Sequence, residues 1–287
     1  MEKKKVKHMT RFQEIVYRFC KNKIALIGVV IALLLIVAII FAEAIAPYEN
    51  GIKNDYKHRL EGPSAEHPFG TDGYGRDIFT RVIHGAKYTL SIAVASSLIA
   101  QVLGAAIGAI ASYYPKFDNI LMRILDVFQA IPSLLLSLAV AAALGSSLTN
   151  LIIAMMIARV PGAARSCRAV MLSLVGQEHI DAAKSYGSND FQIIVGHIIP
   201  NALGPMIVDF TINLSATTLQ VSSLSYIGLG VEPPTPEWGV LLSEAGEFMM
   251  TYPHTIIFPG IAIMLTALAF NLIGDGLRDA MDPRLRD

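Results

Sequence analysis

The sequence predicts an all-α polytopic membrane protein with six transmembrane helices. Three observations carry that expectation. Of 287 residues, 53% are hydrophobic and only 16% are charged, against about 25% charged in an average soluble domain. Apolar runs close to the length of a membrane-spanning helix recur along the chain. The charges between those runs segregate by sign. The 23 basic and 23 acidic residues cancel, which argues against a general nucleic-acid binder. The two cysteines cannot build a disulfide framework.

A helical span needs about 20 mostly apolar residues to cross about 30 Å of hydrocarbon. Residues 1–23 form a basic leader, with eight Lys or Arg against Glu2 and Glu14. Residues 24–42 are an uninterrupted apolar run, the core of a first span over 24–46. A signal peptide competes for this region, because basic residues precede it and Ala44-Ile45-Ala46 imitates a cleavage site. The run exceeds the roughly 7–15 apolar residues of a signal core, so it reads as an uncleaved anchor. A loop over 47–87 follows, then a five-helix core over 88–275 and a tail over 276–287.

Within the core, 88–112 is rich in Ala, Gly and Ser. Residues 124–144 are broken at Pro132, and 148–160 stop at Pro161, too short to span unless the helix continues through the proline. Residues 203–229 are the most polar stretch, and 256–273 carry one Asn. Gly104 and Gly108 form a GxxxG pair, read either as a close helix contact or as chance in a small-residue stretch.

Cytoplasmic segments are the basic ones. The leader, the segment with Arg159, Arg165, Arg168 and Lys184, and the tail with Arg278, Arg284 and Arg286 therefore fall inside. Residues 230–255 hold Glu232, Glu237, Glu244 and Glu247 with no Lys or Arg, and fall outside. The 47–87 loop, with six basic and six acidic residues, is neutral on the question. Six spans then place both termini in the cytoplasm. Cys20 and Cys167 both fall inside, where thiols stay reduced.

The connection 165–200 is too long for an unstructured loop and is helically patterned. Ile180, Ala182 and Ala183 are expected to share a shallow face with Tyr186, and Gly187 to stop the helix. Ser188-Asn189-Asp190 reads as a turn that caps a second helix. That helix carries Phe191, Ile194, Val195 and Ile198 on one stripe and is expected to end at Pro200. A shallow alanine face with aromatic flanks can enter a partner's groove. A plain amphipathic hairpin is the alternative.

The residues Asp181-Ala182-Ala183, Gly187, His197 and Pro200 resemble the EAA loop of ABC importer permeases, with Asp181 where that family has Glu. His67-Pro68-Phe69-Gly70-Thr71-Asp72, Gly75-Arg76-Asp77 and Arg81 are similar to the entry segment of dipeptide, oligopeptide and nickel permeases. Met122-Arg123-Ile124-Leu125-Asp126 and Ile131-Pro132-Ser133-Leu134 are similar to that group's third span. The resemblance runs from Phe12 to Pro283 and favours the second, C-type subunit of the permease pair. It implies a type I ABC importer permease fold in a bacterial or archaeal cytoplasmic membrane. It also implies a homologous second permease, two ATP-binding subunits holding ATP and Mg, and an extracytoplasmic solute-binding protein. The EAA loop would be the coupling helix that docks on the ATPase. The implied cargo is a di- or oligopeptide; nickel is the close alternative, and a stand-alone secondary transporter a remoter one.

Other motifs carry less. Gly70-Thr71-Asp72-Gly73-Tyr74-Gly75 lacks the Gly-Lys-Ser/Thr of a phosphate loop. His67, Asp72, Asp77 and His84 match no standard metal-ligand spacing. No catalytic constellation and no cofactor site are expected in this chain. Asp126 lies three residues from Arg123, a helix-neighbour spacing. Asp209 is expected near the inner end of the fifth span, within reach of water. Asn213 and Gln220, seven apart, share a face that either lines the translocation path or joins helices. The proline-rich segment with Glu232 and Trp238 is read as a partly re-entrant outer gate, or as a rigid surface loop anchored by its aromatic.

Overall fold

The computed structural model describes residues 10–282. Lys3, Lys4, Lys5, Lys7, Glu2, Arg284 and Arg286, which contribute to the charge argument, lie outside them. Among the described residues the regular elements are helical, apart from an isolated bridge between Thr71 and Asp77.

Helix α1 (Arg11–Lys21) starts at a Thr10–Gln13 capping box and is strongly amphipathic. Asn22 ends it and starts α2 (Lys23–Ile40), its Oδ1 accepting from the Ile24 and Ala25 amides at 3.1 and 3.2 Å. Two short helices, α3 (Ala42–Ile45) and α4 (Tyr48–Ile52), lead to a folded turn region. Asp77 then caps α5 (Ile78–Tyr113), its Oδ2 accepting from the Thr80 amide and hydroxyl at 2.7 and 2.6 Å. This helix starts ten residues before the second span read from the sequence. Its 36 residues reach about 54 Å, so it overshoots the hydrocarbon. Hydropathy marks only the part solvated by lipid, which is why the sequence gives a shorter element.

The third apolar stretch breaks as Pro132 predicts. Helices α6 (Pro115–Gln129) and α7 (Ser133–Leu144) meet at 81°. Helix α8 (Leu148–Val175) then runs straight through Pro161, beyond the expected stop. A proline removes one amide from the helix ladder, and Pro161 is buried within the fold.

After α8 come α9 (Glu178–Ser185), α10 (Asp190–Ile193), a π turn at Ile194–Ile198 and α11 (Ile199–Tyr226). Pro200 does not end its helix. It falls in the first turn of α11, directly after the widened π turn. The missing amide and the ring clash with the carbonyl four residues back fall where the i→i+4 ladder is already interrupted. Helix α12 (Trp238–Ala245) and α13 (His254–Met281) complete the chain.

Four helical segments are long and apolar enough to cross a membrane, or five if the bent α6–α7 pair counts as one span. They are α2, α5, the run from α10 through α11, and α13. The chain is thus an all-α polytopic membrane protein. Helix α8 is long enough at 28 residues but carries Arg159, Arg165 and Arg168. Ile40, Leu34 and other large side chains of α2 are exposed, as suits a helix facing lipid.

The centre of the bundle is the α5–α8 contact. A Cβ at Gly104 would lie 2.7 Å from the Ala163 Cβ, and one at Gly108 2.7 Å from the Arg168 amide. The GxxxG pair is therefore a helix contact. Gly108→Leu is expected to force these helices apart, an overpacking cost of about 1–3 kcal/mol or more, lowering the thermal midpoint in detergent. Gly176→Ala, where no atom lies within 4 Å of the added carbon, should leave it unchanged.

Candidate functional site

Helix α5 links two ends of the bundle. At the end where it finishes, α9 and α10 form a short helical hairpin. Gly187 has φ +84°. Its amide donates to the Lys184 carbonyl at 3.0 Å, and the Ser188 amide to the Ala183 carbonyl at 3.1 Å. This is the Schellman geometry that ends a helix on a left-handed residue. Asn189 opens the second arm in a reciprocal capping box with Gln192.

The hairpin's buried side is not the one expected. Ile180, Ala183, Ile193 and Ile198 pack with Ala105 and Ala109 of α5 and with Cys167 and Met171 of α8. Ala182 and Tyr186 point away, four residues apart on the opposite face. Tyr186 is 91% exposed and Phe191 73%. Asp181 is exposed beside Lys184, His197 is half-buried in the π turn, and Pro200 is exposed. The hairpin is thus bolted to the bundle on one face and leaves the Tyr186 and Phe191 rings exposed.

Asp190 is a fastener the sequence reading missed. The Tyr113 and Tyr114 hydroxyls donate to its two carboxylate oxygens, each at 2.9 Å. That bond raises the Tyr114 hydroxyl above the usual tyrosine range. The Lys184 ammonium lies 5.9 Å from the Tyr113 ring centre. Asp126 does not pair with Arg123; Arg165 of α8 takes it, and Arg168 grips Asp118 with two nitrogens at 2.5 Å. Once α6 folds beside α8, a cross-helix guanidinium is nearer than the i–3 neighbour.

Midway along the bundle lies a cavity of about 320 Å³. It is bounded by α5, the start of α7, α8 and α11, and Ser97, Gln101, Arg159, Asp209 and Asn213 are among its lining residues. Arg159 Nη2 donates to the Asn213 carbonyl at 3.3 Å, and Asp209 Oδ2 is buried without a hydrogen-bond partner. Gln220 stands apart, donating to Ser137 of α7 at 3.0 Å. The expected shared face therefore divides into a cavity residue, Asn213, and a helix contact, Gln220. A second cavity, of about 520 Å³, shares Gln101, Ser166 and Asp209 with the first and extends to Arg278 and Asp282.

The opposite end of α5 is closed by a cap. Glu232 is exposed, but Trp238 is only 1% exposed, so it is a core residue and not an interfacial anchor. Its indole donates to the Val82 carbonyl at 2.8 Å. The acidic segment has compensating cations after all, supplied from elsewhere in the chain. Glu244 accepts from Arg76 and Arg81, each at 2.7 Å, and both arginines also bind Asp72, at 2.8 and 2.5 Å. Asp77 holds His67 at 3.0 Å. Among the described residues no group of three or more His, Cys, Asp or Glu is arranged to hold a metal ion.

Glu237, the N-cap of α12, is fully buried, accepting from Thr89 at 2.7 Å and from the Val240 amide at 3.1 Å. Burial raises its carboxyl above the ordinary glutamate range. A raised folded pKa means that the penalty is absent in acid and grows as pH rises through the ordinary range. Glu237→Gln keeps an acceptor for Val240 and removes that penalty. Its thermal midpoint is expected to match wild type in acid and to exceed it increasingly towards neutral pH.

Residues 100–287 match the binding-protein-dependent transport system inner membrane component family. Residues 10–63 match the N-terminal TM domain of oligopeptide transport permease C. The chain is 43% identical over 267 residues to a dipeptide transport system permease protein of Alkalihalophilus pseudofirmus, covering 93% of this chain and 88% of that one. It is 44% identical over 278 residues to a glutathione transport system permease protein of Escherichia coli O6:K15:H31, covering 96% and 92%. A chain of the inward-facing methionine ABC transporter MetNI superposes with a TM-score of 0.59 at 17% identity, over 70% of this chain and 97% of that one. This last likeness shows the fold alone. In such transporters the permease subunits are non-catalytic and separate subunits hydrolyse ATP. The chain belongs to the binding-protein-dependent inner-membrane component family, and it is an ABC importer permease subunit.

Proposed function

We propose that this chain is the C-type permease of an ATP-driven importer of di- or oligopeptides. It forms the translocation path with a homologous second permease. Two ATP-binding subunits lie below it and a solute-binding protein delivers cargo from outside. The cargo class is carried over from its relatives, named for dipeptide and glutathione transport.

In this reading α8 is a further span alongside the bent α6–α7 pair, giving six. Its Arg165 and Arg168 are neutralised by Asp126 and Asp118 of α6. Both termini and the α9–α10 hairpin lie on the cytoplasmic side, and the cap around Trp238 on the outer side. The basic leader and the acidic 230–255 segment support that orientation.

The observation that carries the coupling role is the hairpin's two-sided character. Ile180, Ala183 and Ile193 lock it to α5 and α8, while Ala182, Tyr186 and Phe191 face solvent. Large exposed aromatic side chains on an otherwise anchored element support a protein contact there. When ATP closes the ATPase pair, Asp181, Ala182 and Ala183 travel as part of a rigid lever. His197 and Pro200, in and just after the π turn, pass the movement into α11, and the packed helices switch between two discrete arrangements. A photo-crosslinking residue in place of Tyr186 is expected to capture an ATPase subunit in the assembled complex. Capture of lipid alone would contradict the assignment.

A further inference from the structure

We infer that the cavity between α5, α8 and α11 is a cargo station for a zwitterion, with Asp209 facing the cargo's ammonium and Arg159 its carboxylate. The inference rests on the peptide reading and names the chemistry by which this chain meets its cargo. Opposite charges inside a membrane bundle ordinarily pair with each other, because an unpaired one is costly. Here they line one cavity without pairing. Arg159 reaches only a backbone carbonyl, at 3.3 Å, and Asp209 Oδ2 is buried with no partner. The site therefore offers one positive and one negative pole to something that carries the complement of both.

The rest of the lining suits a peptide backbone. Ser97, Gln101 and Asn213 supply neutral donors and acceptors, which bind amides without selecting side chains. A volume of about 320 Å³ falls at the lower end of pockets that hold small ligands. Asp209 also belongs to the second cavity, of about 520 Å³, which runs on to Arg278 and Asp282. Asp209 thus stands where the two cavities adjoin, and the second, lined in part by Val170, Leu174 and Met206, leads on towards the hairpin end. A bare metal cation would meet Asp209 but be repelled by Arg159.

The test uses the complete importer with its binding protein in proteoliposomes. Uptake of a radiolabelled unmodified tripeptide and of its C-terminal amide is measured beside ATP hydrolysis. Asp209→Asn and Arg159→Gln are expected to cut uptake of the unmodified tripeptide by about tenfold. Asp209→Glu and Arg159→Lys should retain most of it, and hydrolysis stimulated by the loaded binding protein should stay within about twofold in all four. Arg159→Gln should cut uptake of the amide, which lacks the carboxylate, by much less than it cuts uptake of the unmodified tripeptide. Unchanged uptake of the unmodified tripeptide in the neutral variants overturns the station while leaving the peptide reading intact. So does an equal fall for tripeptide and amide in Arg159→Gln. If the wild-type importer moves neither peptide, the peptide reading itself fails, and the station with it.

Discussion

Arg81→Ala is expected to destabilise the protein by about 3–5 kcal/mol, the range for breaking a buried ion pair from one side. Arg81 is 1% exposed and binds both Asp72 and Glu244. Without it, two largely buried carboxylates share the single guanidinium of Arg76. The loss should appear as a large drop in the thermal midpoint of the detergent-solubilised chain. Arg81→Met combined with Glu244→Leu removes one charge of each sign and leaves the Asp72–Arg76 pair. It is expected to recover at least half of the loss, because neighbours in one network are non-additive. An Arg81→Ala protein as stable as wild type would show that the cap is held by apolar packing around Trp238 alone.

The second large effect concerns coupling and not stability. Gly187→Val places a β-branched residue at φ +84°, where an L-residue pays about 1–2 kcal/mol. Nothing lies within 4 Å of the added carbon, so the cost is conformational and not a clash. It lowers the ratio of native to non-native hairpin by about 5–30-fold, and uptake by the reconstituted importer should fall while the chain still inserts. Gly187→Asn, which tolerates the left-handed region, is expected to retain most of the activity. Equal uptake by the valine and asparagine variants would separate the hairpin's angle from transport.

Much of this architecture was legible because it is written locally. Apolar runs marked the helices, Pro132 the break between α6 and α7, and Gly187 the left-handed stop, while Gly104 with Gly108 offered a helix contact as one of two readings and did not name α8 as the partner. What was not legible depends on partners distant in sequence. Pro161 and Pro200 read as helix ends, yet one is buried among neighbouring helices and the other follows a π turn, and neither setting shows in composition. Ending the fourth span at Pro161 made Arg159 a loop charge. A helix running through the proline puts it inside the bundle, facing the cavity with Asp209. Glu244 looked uncompensated because Arg76 and Arg81 lie more than 160 positions away. Trp238 looked interfacial because hydropathy cannot distinguish a side chain buried in protein from one at the lipid surface.

In the proposed mechanism a separate ATP-consuming subunit drives this permease through the α9–α10 hairpin. Its most direct test is cargo uptake by proteoliposomes holding the permease pair and the loaded binding protein, with and without the ATPase subunits and ATP. Uptake is expected only when both are present, and is expected to fall, with hydrolysis continuing, when the Gly187→Val hairpin replaces the native one. Full-rate uptake with the ATPase subunits absent would contradict it.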